Sequence, residues 1–157
     1  ASALELRAPF ESIDGGTLSI SDWRGQPVLV VNTASRCGYT YQYQDLQRLQ
    51  DAYADRGLVV LAVPSDDFRQ ELGSNAEVKE FCELQFGLDL RMTEITHILG
   101  SEAHPFYQSL RNEQGVAPRW NFNKVLISPD GEFVQHWGAR VKPMSGQITR
   151  EIEALLP

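Results

Sequence analysis

The sequence is short of the residues on which several classes of protein depend. It holds only 2 cysteines, Cys37 and Cys82, which is too few for a disulfide scaffold. Its 3 histidines are scattered without the spacing of a zinc site, so no metal is expected. Acidic residues outnumber basic ones by 21 to 14, and the net charge of −7 disfavours nucleic acid and anionic membranes as partners. No apolar run approaches the roughly 20 residues of a membrane helix.

The remaining composition is that of an ordinary globular protein, with 42% hydrophobic and 22% charged residues. No repeat, linker or low-complexity segment interrupts it, which predicts a single domain over residues 1–157. The chain begins Ala-Ser-Ala, without Met or an apolar leader. We therefore expect either a cytoplasmic protein or an exported one whose signal peptide has been removed, with the bacterial periplasm as one destination.

Local patterns predict alternating strands and helices. Asp14-Gly15-Gly16 indicates the turn of an N-terminal hairpin between strands at Phe10–Ile13 and Thr17–Ile20. The next predicted elements are a turn at Asp22–Pro27, a strand at Val28–Asn32, a helix over Tyr41–Tyr53 that Gly57 ends, and a strand at Leu58–Val63. A capping box of Ser74 and Glu77 predicts a helix that runs to Phe86, with Val78, Phe81 and Cys82 facing the core. The last predicted elements are a helix at Ala103–Arg111, strands at Lys124–Ser128 and Glu132–Trp137, and a helix at Ile148–Leu156. This order predicts an α/β thioredoxin-like fold, with a central mixed β-sheet flanked by helices.

Cys37 is the first candidate for chemistry, because it follows the first buried strand just before a helix begins. Helix N-termini favour anions, so this position favours the thiolate; the alternative is a small buried apolar residue, as many free cysteines are. Thr40 stands where a CxxC oxidoreductase carries its second cysteine, and Tyr41 stands where a copper-delivery CxxxC would. A peroxiredoxin would carry Thr at position 34, but Ala34 is there and Thr33 comes one residue earlier. A solitary nucleophile remains.

Three segments carry a more specific pattern, and they are Val31-Asn32-Thr33-Ala34-Ser35-Arg36-Cys37-Gly38-Tyr39-Thr40, Phe68-Arg69-Gln70-Glu71-Leu72-Gly73-Ser74-Asn75 and Trp120-Asn121-Phe122-Asn123-Lys124. In order and spacing they resemble the glutathione peroxidase family, and the helix start His104-Pro105-Phe106-Tyr107 agrees. The resemblance covers nearly the whole chain, from about Phe10 to Leu156. The resemblance implies a cofactor-free peroxidase that reduces hydrogen peroxide and organic hydroperoxides through a Cys37 sulfenic acid. The catalytic tetrad that it implies is Cys37, Gln70, Trp120 and Asn121.

Each of the three partners of Cys37 also has a plain structural interpretation. Trp120 could be a core residue, Gln70 a solvated loop residue and Asn121 a turn former. As a set they suit the chemistry, because neutral N–H donors stabilise negative charge that moves from sulfur to the departing oxygen.

The chain departs from the family pattern in the loop that carries Gln70. Asp66 and Asp67 replace a common Asn-Gln pair, and Arg69 alone separates Phe68 from Gln70, so this loop is one residue shorter. The reach of the Gln70 side chain is therefore the least secure feature of the implied tetrad.

The segment between Leu110 and Trp120 lacks the insertion that tetrameric members use in assembly, which predicts a monomer. The nucleophile is sulfur, where some relatives carry selenocysteine, so a lower rate is expected.

A sulfenic acid must condense with a thiol to complete a catalytic cycle. By the resemblance, Cys82 could resolve it as a disulfide that thioredoxin reduces, or glutathione could resolve it instead. The alternative for Cys82 is simple packing, because Phe81 and Phe86 suggest a helix held in the core.

Arg36, Arg69 and Arg119 each precede a residue of the implied tetrad. If two of them reach the pocket, they form a positive collar that favours the Cys37 thiolate and attracts fatty-acid hydroperoxides or glutathione. The alternative is that neighbours in an extended segment point opposite ways and the arginines face solvent.

Two other functions compete with a peroxidase. One is a redox sensor or relay that passes a Cys37 oxidation to a partner protein. The other is a thioredoxin-like binding module in which Cys37 is inert.

Overall fold

The computed structural model describes residues 3–157. Its strands are β1 Phe10–Glu11, β2 Thr17–Leu18, β3 Val28–Thr33, β4 Val59–Pro64, β5 Arg91–Met92, β6 Lys124–Ile127 and β7 Phe133–Trp137. Its α-helices are α1 Gln42–Tyr53, α2 Asn75–Phe86, α3 Pro105–Gln114 and α4 Gly146–Leu155. Within residues 3–157, no helix has both the length and the apolar character to cross a bilayer.

The central sheet has the strand order β5-β4-β3-β6-β7. Strands β3, β4 and β5 run parallel, whereas β6 is antiparallel to β3 and to β7. Strands β1 and β2 pair separately as an antiparallel hairpin. The mixed sheet, the parallel β3-α1-β4 unit and the N-terminal hairpin are therefore confirmed.

Both faces of the sheet are covered, and alternate residues of β3 face opposite layers. Leu29 and Val31 pack with helices α1, α2 and α4, while Val28 and Val30 pack with α3 and the N-terminal segment. A strand buried on both faces reads as a continuous apolar run, which is why β3 and β4 could be predicted from sequence.

Helix α3 begins at an unusual cap, His104. Its Nδ1 accepts from the Phe106 N–H at 3.0 Å, and its Nε2 lies 3.0 Å from the Pro9 carbonyl oxygen. The ring also stacks on Phe10, with centroids 3.6 Å apart. Burial lowers the pKa of His104, which favours the neutral ring that can accept one of these bonds and donate the other.

One local prediction was wrong, one strand was missed and one helix is longer than expected. Ile20–Trp23 is a 3₁₀ helix where a strand end and a turn were expected, and the carboxylate of Asp22 accepts from the Ser19 N–H at 3.2 Å to support its first turn. Strand β5 was not predicted, because two residues are too few to show a period; its pairing with β4 places Arg91 opposite Leu61. Helix α3 extends to Gln114, beyond the expected end.

The topology brings three connections to one edge of the sheet. Strands β3 and β4 run parallel, so the segments after Thr33 and Pro64 leave from the same edge. Strand β6 runs the opposite way, with Lys124 opposite Val31, so the segment before Lys124 arrives there too. These connections carry Cys37, Gln70 and Trp120 respectively, at the place where open α/β sheets build their sites.

Candidate active site

Cys37 lies in a tight turn that the side chain of Thr40 holds. The Thr40 Oγ1 accepts from the Cys37 N–H at 3.0 Å and donates to the Ala34 carbonyl at 2.8 Å. The Tyr39 N–H points at the Cys37 sulfur, with N and Sγ 3.4 Å apart. Thr40, which stands where a CxxC protein has its second cysteine, therefore organises the turn, and a backbone N–H faces the sulfur.

The short Gln70 loop closes through a strained residue and an aspartate. Arg69 adopts a φ of 59°, which only a small fraction of non-glycine residues do, and its N–H donates to the Asp66 carbonyl at 2.8 Å. The Asp66 Oδ1 accepts from the Glu71 N–H at 3.1 Å. Gln70, between them, is half-buried, and its carbonyl accepts from the Arg36 N–H at 2.8 Å. Backbone and aspartate bonds on either side of Gln70 thus close the loop.

Asp67 anchors the same loop to the segment before α3. Its Oδ2 accepts from the Ile98 N–H at 2.6 Å and the Leu99 N–H at 3.0 Å, and its Oδ1 lies 2.9 Å from Nδ1 of His97. Burial alone would raise the pKa of Asp67, but these bonds outweigh it and lower that pKa. The bond to Asp67 and its charge raise the pKa of His97.

The third segment is fixed to the end of β3 by Asn32. The Asn32 Nδ2 donates to the Trp120 carbonyl at 3.0 Å, and the Asn32 carbonyl accepts from the Phe122 N–H at 2.6 Å. Phe122 has a φ of 59°, a second left-handed non-glycine residue beside the implied tetrad. Between these two anchors the amide of Asn121 is fully buried, and neither its oxygen nor its nitrogen has a hydrogen-bond partner.

Trp120 is not a core residue. Its side chain is 36% exposed and packs on Phe68, with ring centroids 5.4 Å apart. Beside it lies an open cleft of about 470 Å³ whose lining includes Arg119, Asn123 and His136. Burial and the charge of Arg119 lower the pKa of His136, whose Nε2 lies 2.9 Å from Oδ1 of Asn123.

The backbones of the implied tetrad therefore converge, but their side chains are not bonded to one another. Among the described residues, no hydrogen bond joins the Cys37 sulfur to the side chain of Gln70, Trp120 or Asn121. The sulfur itself is largely buried, with 9% of Cys37 exposed. The three segments are brought together through hydrogen bonds to backbone atoms, and the side chains of Gln70, Trp120 and Asn121 do not bind the sulfur.

The arginines beside the implied tetrad are all exposed. Arg36 is joined to the Gln70 loop through its backbone, Arg69 lies in that loop, and Arg119 lines the cleft beside Trp120.

Cys82 lies on α2 and is 3% exposed. Burial, and then the charges of Glu71 and Glu83, raise its pKa to about 11 against a partial opposing effect of Tyr43. The Tyr43 hydroxyl is close to this thiol but makes no hydrogen bond of ordinary geometry. Both cysteines are free thiols in this structure.

Sequence reasoning missed two buried charges near the site. Glu71 was quoted only as part of a motif, yet it is 6% exposed and bonded to the Cys37 turn. Lys124 is 0% exposed, and its Nζ lies 3.2 Å from the Ala139 carbonyl and 3.4 Å from that of Gly138. Burial lowers the pKa of Lys124 to about 7. Membership of a matched segment was the one available signal for each, because Glu71 follows Gln70 in the second segment and Lys124 ends the third.

Comparison with known proteins identifies the family of this chain. The family model described as glutathione peroxidase matches residues 6–111. The chain belongs to the glutathione peroxidase family. It is 40% identical over 149 residues to the glutathione peroxidase of Lactococcus lactis, with 92% of this chain and 94% of that protein covered. It is 37% identical over 156 residues to the hydroperoxy fatty acid reductase gpx1 of Synechocystis, with 92% and 91% covered.

A solved structure shares the fold of this chain. The apo form of Trgpx superposes with a TM-score of 0.76 at 26% identity, covering 98% of this chain and 96% of that one. The expected thioredoxin-like fold is thereby confirmed. As a member of the glutathione peroxidase family the protein is a thiol peroxidase, an oxidoreductase with an antioxidant role.

Proposed function

We propose that Cys37 is the peroxidatic cysteine and that Gln70, Trp120 and Asn121 complete its tetrad. The Cys37 thiolate attacks one peroxide oxygen, a sulfur–oxygen bond forms, the oxygen–oxygen bond breaks, and a proton joins the departing oxygen to give water or an alcohol. Cys37 is oxidised to a sulfenic acid and the peroxide is reduced. The observation that carries this proposal is the convergence of the three segments on the carboxyl end of β3, through Arg36 N to Gln70 O and Asn32 Nδ2 to Trp120 O.

The partner side chains have a role in this step because all three are neutral. Negative charge leaves sulfur and grows on oxygen, and donors that are already in place lower the barrier without protonating the thiolate. Asn121 fits this role best, since its buried amide has no partner in the resting protein. Asn121, the exposed indole of Trp120 and the Gln70 amide are therefore proposed as donors to the departing oxygen.

The Cys37 sulfenic acid is regenerated by a thiol, and we favour Cys82 with thioredoxin over glutathione. The Cys82 sulfur would attack the Cys37 sulfenic sulfur, forming a disulfide and water, and the dithiol of thioredoxin would then reduce that disulfide. Of the 12 residues of α2, only Val78 and Cys82 are buried. Phe81 and Phe86 of the same helix pack half-buried against the core, so resolution by Cys82 requires that α2 opens locally and exposes a thiol that burial otherwise keeps protonated.

The deciding assay follows NADPH oxidation with hydrogen peroxide, coupled in parallel to thioredoxin and its reductase or to glutathione and its reductase. We expect turnover with thioredoxin that Cys82→Ser abolishes. Leu84→Ser is the matched control, because it places serine on the same helix at a side chain that is 73% exposed. Full thioredoxin-coupled turnover of Cys82→Ser would remove Cys82 from the cycle. No turnover with either donor, despite a reactive Cys37, would favour the sensor or relay.

We also propose that the protein acts as a monomer and a single domain. We further propose that the exposed arginines beside the tetrad attract acidic substrates. The support is the cleft beside Trp120, whose lining holds Arg119 and His136 but no acidic residue. Replacing Arg36 and Arg119 by alanine should raise the KM for a hydroperoxide with a carboxylate, and should leave the KM for neutral tert-butyl hydroperoxide unchanged. If the variant and the wild type have the same KM for the acidic substrate, the proposed positive collar of arginines is refuted.

A further inference from the structure

A buried carboxylate holds the turn that carries Cys37. Glu71 is 6% exposed, and its Oε1 accepts from the Ser35 N–H at 3.1 Å and from the Leu72 N–H at 2.8 Å. Burial raises the pKa of Glu71 despite these bonds, which oppose the rise. A buried charge of this kind is costly unless bonded, so its position is a constraint on the local structure.

The carboxylate acts together with its neighbour in the chain. The Arg36 N–H donates to the Gln70 carbonyl at 2.8 Å, one residue along from the Ser35 bond. The two residues before Cys37 are thus held by two consecutive residues of the Gln70 loop. Glu71 is itself held, because its N–H donates to Oδ1 of Asp66 at 3.1 Å.

We propose that Glu71 is a positioning residue, whose carboxylate sets the Cys37 sulfur against the Gln70 side chain for attack on the peroxide. This rests on the proposed roles of Cys37 and Gln70. Glu71 itself touches no substrate. Among residues 3–157, its bond to Ser35 is the one hydrogen bond from a side chain of the Gln70 loop to the Cys37 turn, and a misplacement of about 1 Å between reacting groups can cost about a hundredfold in rate.

The test compares two reactions of Cys37 in single-turnover experiments at one pH, well below the melting temperature of each variant. Hydrogen peroxide needs the aligned donors, whereas alkylation by iodoacetamide, followed at Cys37 by peptide mass, needs only an accessible thiolate. Glu71→Ala should slow the peroxide reaction about tenfold or more and alkylation less than about threefold. Glu71→Gln should keep the peroxide rate within about threefold of the wild type, because its side-chain carbonyl accepts from the same two N–H groups.

Glu80→Ala is the charge control, since it removes one exposed negative charge from α2, outside both the Gln70 loop and the Cys37 turn. A peroxide rate of Glu71→Ala within threefold of the wild type would overturn the proposal. So would an equal loss in both reactions, or a Glu71→Gln variant as slow as Glu71→Ala.

Failure of the proposed function has a different signature. A wild-type protein whose Cys37 alkylates but does not reduce peroxide would refute the role of Cys37, and a Gln70→Ala variant at the wild-type rate would refute that of Gln70. If both roles hold, Glu71→Ala should add less than about threefold to the loss already caused by Gln70→Ala, since the carboxylate acts through that side chain. If Glu71→Ala slows the Gln70→Ala variant as much as it slows the wild type, Glu71 does not act by aligning Cys37 with Gln70.

Discussion

Lys124 makes the stability of this protein depend on pH in a way that one substitution can isolate. Its ammonium group is fully buried, and its Nζ contacts two backbone carbonyls. Burial lowers its pKa from 10.5 to about 7, because the charged form is poorly solvated in the core. The unfolded chain therefore binds a proton at Lys124 more readily than the folded one does.

The direction and size of this pH dependence follow from the linkage between proton binding and folding. A base whose pKa is lower in the folded state weakens folding fully below that pKa, and the penalty shrinks as the pH rises towards 10.5, the ordinary value. At 1.36 kcal/mol for each pH unit between the two values, the full penalty is on the order of 4 to 5 kcal/mol. About 2 to 3 kcal/mol of it should disappear between about pH 7 and pH 9.5.

The assay is urea unfolding of the wild type and of Lys124→Met at several pH values across that range. We expect the stability of the wild type relative to Lys124→Met to rise by about 2 to 3 kcal/mol with pH. Subtracting the unfolding free energy of Lys124→Met from that of the wild type at each pH cancels the titration of groups that both proteins have, such as Cys82. The variant also leaves two carbonyls without their donor, but that cost does not change with pH and so does not affect the trend. A difference that stays flat with pH would refute the reasoning, since it would mean that the ammonium stays charged in the core.

Two further predictions concern other titrating groups. In the His97→Ala variant, we expect a loss of stability below about 1 kcal/mol, because the pair with Asp67 is exposed on the His97 side. That loss should be largest below the ordinary His97 pKa of 6.5 and vanish as the pH rises through the raised folded value; a loss that grows with pH would contradict it. In a Cys37→Ser background, Cys82 with a pKa of about 11 should be alkylated at pH 8 about a hundredfold more slowly than a thiol with the ordinary value of 9.0. Alkylation at the rate of an ordinary thiol would show that α2 already opens in the reduced protein.

The elements that could be predicted from sequence are those whose own residues determine them. The runs that became β3 and β4 are apolar throughout, and the α2 cap is a local bond from the Glu77 N–H to Ser74 Oγ at 3.2 Å. Gly57, with a φ of 108°, follows α1 and a short 3₁₀ turn as its stop signal indicated. Strand β5, in contrast, exists because β4 offers it an edge, which no pattern in residues 91–92 records.

The candidate active site also has features that could be predicted from sequence and others that could not. The order of its motifs placed Cys37, Gln70 and Trp120 on connections that do meet, but the contacts between those connections are long-range and leave no periodic trace. Asn32 illustrates this, because within β3 it reads as an ordinary strand residue, yet its amide holds the Trp120 backbone 88 positions away. The burial of Glu71 and Lys124 is likewise a property of the assembled core, where charged residues are not expected from their type alone.

The way in which the Cys37 turn is held has a consequence for the order in which the protein becomes active during synthesis. The bonds from Ser35 and Arg36 lead to Gln70 and Glu71, which leave the ribosome more than thirty residues later. The Asn32 bonds lead to a segment later still, at Trp120. Because domains emerge from the N-terminus onwards, a nascent chain first presents Cys37 in a turn that these bonds have not yet fixed. On the proposed role of Cys37, peroxide reactivity appears only when residues near 120 have joined the sheet, so the reaction itself would report that folding is nearly complete.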